Sequence, residues 1–148
     1  MRIVLFDLDH TLFAADDVLH AGANELLPIL RRLDMTLIGL SSRDHKVIVR
    51  LEDAGIRHFF SEVLCSDQHR TPKESSGVYH VLSKVGGAPH HAVLVSHAHA
   101  DILLGKDVGV RKTIGVSHSA EHKNAHPLLD AGADHVVADL PSVLDVVE

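Results

Sequence analysis

Arg2-Ile3-Val4-Leu5-Phe6-Asp7-Leu8-Asp9-His10-Thr11-Leu12 is the stretch whose reading decides the fold. Arg2 to Phe6 is a short, continuous apolar run behind one basic residue, the pattern of a strand buried on both faces. Asp7 and Asp9 leave that strand at i and i+2. On an extended backbone, residues two apart point the same way. Two carboxylates placed so repel, and a bound cation or a raised pKa is the expected consequence. The plain alternative is a polar loop in which one Asp caps a helix.

The same alternation of strand and helix repeats along the chain. Thr36 to Leu40, Glu62 to Cys65, Ala92 to Val95, Thr113 to Val116 and His135 to Ala138 read as further strands. Between them, apolar residues recur at helical spacing. These are Leu26, Leu27, Ile29, Leu30 and Leu33, then Val47, Ile48, Leu51 and Ala54, then Val78, Val81, Leu82 and Val85. Pro28 suggests that the first helix begins close to it. Asp101 to Val108 reads as a helix closed by Gly109, and Leu140 to Val147 as a final helix. Strands alternating with helices predict an α/β fold. The expectation is a doubly wound three-layer sandwich on a mostly parallel sheet of five or six strands. Residues 1–148 read as one domain, without a linker or an internal repeat.

Composition narrows the function classes. The 148 residues carry 14 Lys plus Arg against 20 Asp plus Glu, a net charge of −6 with His neutral. That balance argues against a general nucleic-acid binder. One Cys permits no internal disulfide and no Cys-based zinc or iron–sulfur site. No apolar run approaches a membrane span, and none resembles a secretory signal, so a cytoplasmic location is expected. The 14 His equal the permanent cations in number, so the net charge would change sign if all were protonated.

In doubly wound folds the chemistry collects in loops at the C-terminal ends of the strands. The second strand ends in Ser41-Ser42-Arg43-Asp44, either a helix N-cap or a hydroxyl with free N–H groups that cradles an anion. Lys73 stands in a loop after the third strand and, taken alone, reads as solvated surface. The fourth strand runs into Ser96-His97-Ala98-His99-Ala100-Asp101. This is a metal-binding pattern or a helix start carrying ordinary surface histidines.

In this order, the four points resemble the motifs of the haloacid dehalogenase superfamily, most of whose members are phosphatases. Asp7-Leu8-Asp9-His10-Thr11 matches its first motif, Asp-x-Asp-x-Thr; Ser41 matches the second, and Lys73 the third. The fourth motif is commonly Gly-Asp-x-x-x-Asp, and here it reads Ser96 to Asp101. The resemblance covers essentially the whole chain. It implies hydrolysis of a phosphate monoester through an aspartyl-phosphate. Asp7 would be the nucleophile and Asp9 the acid and base. Ser41, with Thr11, Ser42 and Arg43 around it, would bind the phosphoryl group and substrate. Lys73 would offset the negative charge. Magnesium would bind the Asp7 carboxylate, the Asp9 backbone carbonyl, the retained acid Asp101 and water.

His97 departs from that pattern, standing where the family has the first acid of its fourth motif. Imidazole is a poor ligand for magnesium and a good one for manganese, cobalt, nickel or zinc. His97 is therefore kept as a candidate metal ligand, with Mg2+, another of these metals, or no metal as the outcomes. A chain that binds a phosphorylated ligand without turning it over is the alternative reading. True dehalogenases of the superfamily replace the second acid of the first motif, whereas Asp9 is present here. A receiver-like signalling domain would place its reactive Asp on a later strand. The stretches between Thr11 and Ser41, and between Ser41 and Lys73, are too short for the cap domain that many relatives insert. The expected partners are thus a phosphorylated small molecule or phosphoprotein, with neither nucleic acid nor membrane, and a homo-oligomer that could close an open site. Of the remaining histidines, His20, His118, His122 and most others read as solvated surface.

Overall fold

A computed structural model describes residues 1–119, 121 and 123–148; His122 lies outside the described residues. Six strands form one sheet: β1 (Ile3–Asp7), β2 (Thr36–Leu40), β3 (Phe60–Leu64), β4 (Ala92–Ser96), β5 (Lys112–Val116) and β6 (His135–Val137). Their order is β3-β2-β1-β4-β5-β6, and every neighbouring pair is parallel. The chain starts in the middle of the sheet, winds outward through β2 and β3, then returns to β4 on the other side of β1. The crevice between β1 and β4 is therefore the topological switch point, where such sheets bind ligands. Asp7 ends one of those strands and Ser96 the other.

Helices α1 (Ala23–Arg32), α2 (Lys46–Asp53), α3 (Ser75–Lys84), α4 (His99–Val108) and α5 (Ala125–Asp130) cover the sheet. The two-residue period of β1 sorts the core into two layers. Val4 and Phe6 pack with Leu26, Leu30, Val47 and Leu51 of α1 and α2. Ile3 and Leu5 pack with Val78, Val81 and Val108 of α3 and α4. The expected three-layer parallel α/β sandwich is thus observed.

Two local expectations are corrected, and one helix was not anticipated. Helix α1 begins five residues before Pro28 and carries it in its interior. An interior Pro costs about 3 kcal/mol. Leu26, Leu27 and Leu30, each at most 1% exposed, return about 1.5–3 kcal/mol apiece, so burial outweighs the lost backbone bond. The C-terminal segment is a 3-10 turn, Pro141–Asp145, rather than an α-helix. Lys112 Nζ and Arg111 Nη2 donate to the carbonyls of Val146 and Val147, holding the tail in that turn. Helix α5, with only Leu128 buried, lacks the apolar periodicity that would announce it.

Between Asp7 and α1 the chain makes a short flap. Phe13 bridges to Asp9 and Leu19, and Ala14 N–H donates to the Val18 carbonyl at 2.8 Å. The flap and α1 occupy the stretch between Thr11 and Ser41. Helix α2 and β3 occupy the next one, so no further domain is inserted at either place. No described helix is long and apolar enough to cross a membrane.

Candidate active site

Alternation along β1 sends Asp7 to the side that α3 and α4 cover, and it is 1% exposed. Its Oδ1 accepts a hydrogen bond from Lys73 Nζ at 2.8 Å. Its Oδ2 accepts from Thr11 Oγ1 at 2.7 Å, with Ser96 Oγ at 3.3 Å and His97 Nδ1 at 3.4 Å. Burial opposes ionisation of Asp7. The His97 and Lys73 contacts and the Thr11 hydroxyl overcome it and hold the carboxyl below the usual carboxylate range. Of the two outcomes expected for this acid, a nearby cation or a raised pKa, Asp7 shows the first, with the Lys73 ammonium on its Oδ1.

The raised pKa falls on Asp101 instead. Its carboxylate, 8% exposed, lies in the first turn of α4. Oδ2 accepts from Lys73 Nζ at 2.8 Å and from Ser96 Oγ at 2.7 Å. Burial and the charge of Asp7 push it up, against Lys73 and Ser96. Lys73 thus bridges two carboxylates of which Asp7 ionises first. Burial disfavours its ammonium, but the two charges raise its pKa overall. Sequence alone assigned no role to Ser96, yet it is fully buried, and its hydroxyl also accepts the Ala98 N–H at 3.1 Å.

Asp9 is partly exposed and has partners of its own. Its Oδ2 accepts from Ser41 Oγ at 2.7 Å, and Arg43 Nη1 stands 3.5 Å from Oδ1. Ser41 Oγ in turn accepts the Arg43 N–H at 3.0 Å. Arg43 is engaged more closely by the flap: Nη1 donates to Asp17 Oδ1 at 2.9 Å, and Arg50 Nε lies 3.4 Å from Asp17 Oδ2. The Arg43 hydrogen bond holds Asp17 below the usual carboxylate range. Ser42 is exposed beside Ser41. Asp7, Thr11, Lys73, His97 and Asp101 are thus joined in one set of contacts, and Asp9, Ser41 and Arg43 in a second, both at the C-terminal ends of the central strands. Shallow clefts of about 410 Å³ beside Lys73 and about 360 Å³ beside His97 flank the first set.

The donor set does not fit a magnesium ion held by side chains. The Thr11 hydroxyl spends its proton on Asp7, so both atoms facing His97 Nδ1, Asp7 Oδ2 and Thr11 Oγ1 at 3.2 Å, are acceptors. Nδ1 must then carry hydrogen, so the ring nitrogen that faces Asp7 offers no lone pair to a metal there, and the lone pair of the neutral ring is on Nε2. Asp101 Oδ2 is committed to Lys73 and Ser96. Among the described residues, no three or more His, Cys, Asp and Glu side chains are placed to hold a metal ion. Of the four residues assigned to a metal, Asp7, His97 and Asp101 meet in one hydrogen-bonded network rather than an open oxygen cage, while the Asp9 carboxylate is bonded to Ser41.

Two histidines that sequence reading left on the surface lie half-buried against this network. His118 Nε2 is 3.0 Å from the Thr11 carbonyl oxygen, and His20 Nε2 is 3.1 Å from that of His10. Their rings stack at 3.6 Å between centroids and 10° between planes. His10 stays exposed, with φ of 67°, and His99 is exposed at the start of α4.

Residues 18–116, two thirds of the chain, match the sequence profile of the family described as haloacid dehalogenase-like hydrolase. The chain belongs to that family. Among its relatives is a pyrophosphatase PpaX of Oceanobacillus iheyensis, 28% identical over 119 residues, or 79% of this chain and 53% of the relative. Pyrophosphatase PpaX of Bacillus pumilus is 31% identical over 102 residues, or 68% of this chain and 46% of the relative. The chain thus spans about half the length of the curated relatives it matches. The structure of a haloacid dehalogenase phosphatase from Thermococcus onnurineus superposes with a TM-score of 0.85 at 14% identity, covering 99% of this chain and 98% of that one. At that identity the likeness speaks for the fold. The profile match contains Ser41, Lys73, His97 and Asp101, and the Asp7-to-Thr11 motif lies upstream of it.

Proposed function

We propose that this haloacid dehalogenase-like hydrolase cleaves a phosphate monoester through an aspartyl-phosphate on Asp7. The observation that carries the reading is the Asp7 carboxylate itself: buried, held ionised, and 2.8 Å from a lysine ammonium. A buried anion is a competent nucleophile when its charge is compensated, and Lys73 also offsets charge brought by a phosphoryl group. In the first step Asp7 forms the bond to phosphorus while the ester P–O bond breaks, and Asp9 gives a proton to the leaving oxygen. In the second, water attacks phosphorus, Asp9 takes its proton, and phosphate leaves as Asp7 is restored. Ser41 orients Asp9 through their 2.7 Å hydrogen bond before substrate enters.

The substrate class is a phosphorylated small molecule or phosphoprotein reaching an open site. The names of the pyrophosphatase relatives support phosphoryl chemistry. A cytoplasmic location and a homo-oligomer that closes the opening belong to the same reading. No step is routed through a metal. Dependence on magnesium, manganese, cobalt or nickel is measured alongside activity.

The test is hydrolysis of an aryl phosphate by the native chain and by Asp7→Asn, together with acid-quench trapping of the phosphorylated protein. Native turnover that Asp7→Asn abolishes is expected. Turnover that survives the substitution would overturn the reading. A second reading, binding of a phosphorylated ligand without turnover, is favoured by His97 standing beside Asp7. It predicts an inactive native chain that gains activity on His97→Asp.

A further inference from the structure

Thr11 is the hub of the catalytic loop. Its hydroxyl donates to Asp7 Oδ2 at 2.7 Å and accepts the His97 N–H at 3.0 Å. Its side chain is fully buried, so these bonds are not exchanged freely with water. The carbonyl of the same residue faces His118, which comes from the loop after β5, far away in sequence. A carbonyl oxygen only accepts, so His118 Nε2 is the donor across 3.0 Å. By the same reasoning His20 Nε2 donates to the carbonyl of His10, the residue before Thr11. The two rings lie nearly parallel at 3.6 Å. Stacked imidazolium ions would repel at that distance, so the stack is one of neutral rings. Burial also depresses both groups, His118 to about 4.

We propose that His118 and His20 form a clamp that fixes the backbone of residues 10 and 11, with His118 a positioning residue for Asp7 acting through Thr11. Two independent segments, the end of the flap and the loop after β5, are thereby tied to consecutive carbonyls of the loop carrying the nucleophile. His10 has φ of 67°, in the left-handed region that a residue with a side chain rarely adopts. Such a conformation persists where surrounding contacts over-determine it, and the clamp supplies two of those contacts. Misplacing a nucleophile by about 1 Å costs on the order of 10²-fold in rate. Loss of the clamp therefore lowers kcat by displacing Asp7, while Ser41 and Lys73, which neither histidine touches, keep their places. The proposal rests on the phosphatase reading for its kinetic consequence but not for its geometry.

The experiment compares native protein, His118→Ala, His118→Gln and His20→Ala. Glutamine places an N–H near the position of Nε2, whereas alanine removes the donor. On an aryl phosphate, His118→Ala should lose at least tenfold in kcat with KM changed less than twofold. His118→Gln should recover most of that loss, and His20→Ala should lose less than His118→Ala. Equal activity of native and His118→Ala, or failure of glutamine to restore activity to a folded variant, overturns the proposal. Backbone amide NMR of the same variants reads the geometry without turnover. In His118→Ala the amides of Asp7 to Thr11 should shift, and changes confined to residues 117–119 overturn the proposal. If native protein shows no turnover while those amides do shift, the phosphatase reading fails and the clamp stands.

Discussion

Replacing Lys73 by Met removes the one cation that touches both buried carboxylates. Nζ lies 2.8 Å from Asp7 Oδ1 and 2.8 Å from Asp101 Oδ2. At an effective dielectric of about 20, each contact is worth about 6 kcal/mol of gross attraction. Desolvating the ammonium offsets several kcal/mol of this. What remains when one partner of a buried pair is deleted is a loss of about 3–5 kcal/mol, because the other charges stay buried without compensation. Two carboxylates would then face each other with no ammonium between them. Asp101, already raised by burial and by Asp7, would rise further. For an acid raised in the folded state, the stability is fully present below its unfolded pKa and is lost as pH climbs from there through the folded value. The deficit of Lys73→Met should thus be largest near pH 8 and shrink toward pH 5. Urea unfolding of native and variant protein at the two pH values measures it. The double variant Lys73→Met/Asp101→Asn, which removes one of the opposing charges, should regain most of the loss at pH 8. A deficit below about 1 kcal/mol at pH 8, or a double variant no more stable than the single one, would refute the ion triad as described.

Gly77→Ala should destabilise the chain by about 1–3 kcal/mol in thermal or urea unfolding and reduce activity. A Cβ there would lie 2.5 Å from the carbonyl oxygens of Thr71 and Pro72, backbone that cannot swing aside and that carries Lys73. Acidification should also weaken the fold between about pH 6.5 and pH 4, the window set by the depressed His118. Burial and the nearby His20 and His97 oppose its protonation, while the Thr11 carbonyl and Asp139 favour it. A histidine lowered in the folded state contributes stability above its unfolded pKa and loses it as pH falls. The shift corresponds to about 3 kcal/mol, or about 1–2 after solvent screening. His118→Gln should flatten that part of the stability–pH curve.

Much of this protein was legible in its sequence. The strands announce themselves because a parallel sheet covered on both faces demands continuous apolar runs. Asp7, Ser41, Lys73 and Asp101 were findable because each stands in a loop or helix start just after a strand, where a doubly wound fold collects its chemistry. Helix α5 and the C-terminal 3-10 turn were not, since one buried leucine sets no period and a side-chain hold on the tail's carbonyls leaves no trace in composition. The ionisation order of the acids was equally hidden. Spacing shows that two carboxylates are near each other. It does not show that His97, Lys73 and Thr11 reach Asp7 and outweigh its burial, while at Asp101 burial and the charge of Asp7 prevail.

The histidines draw the line most clearly. Their number is a property of the sequence, as is the substitution that puts His97 where the family has an acid. Which of them matter was decided by the tertiary structure, because hydrogen bonds join residues by position in space and not by order in the chain. His20 and His118 looked like solvated surface in segments 98 residues apart. The winding of β1 through β5 brings both to the same two carbonyls, where burial keeps their rings neutral and stacked. The sequence by itself determined the sheet, the acids and the lysine. Only the fold determined which groups hold them in place.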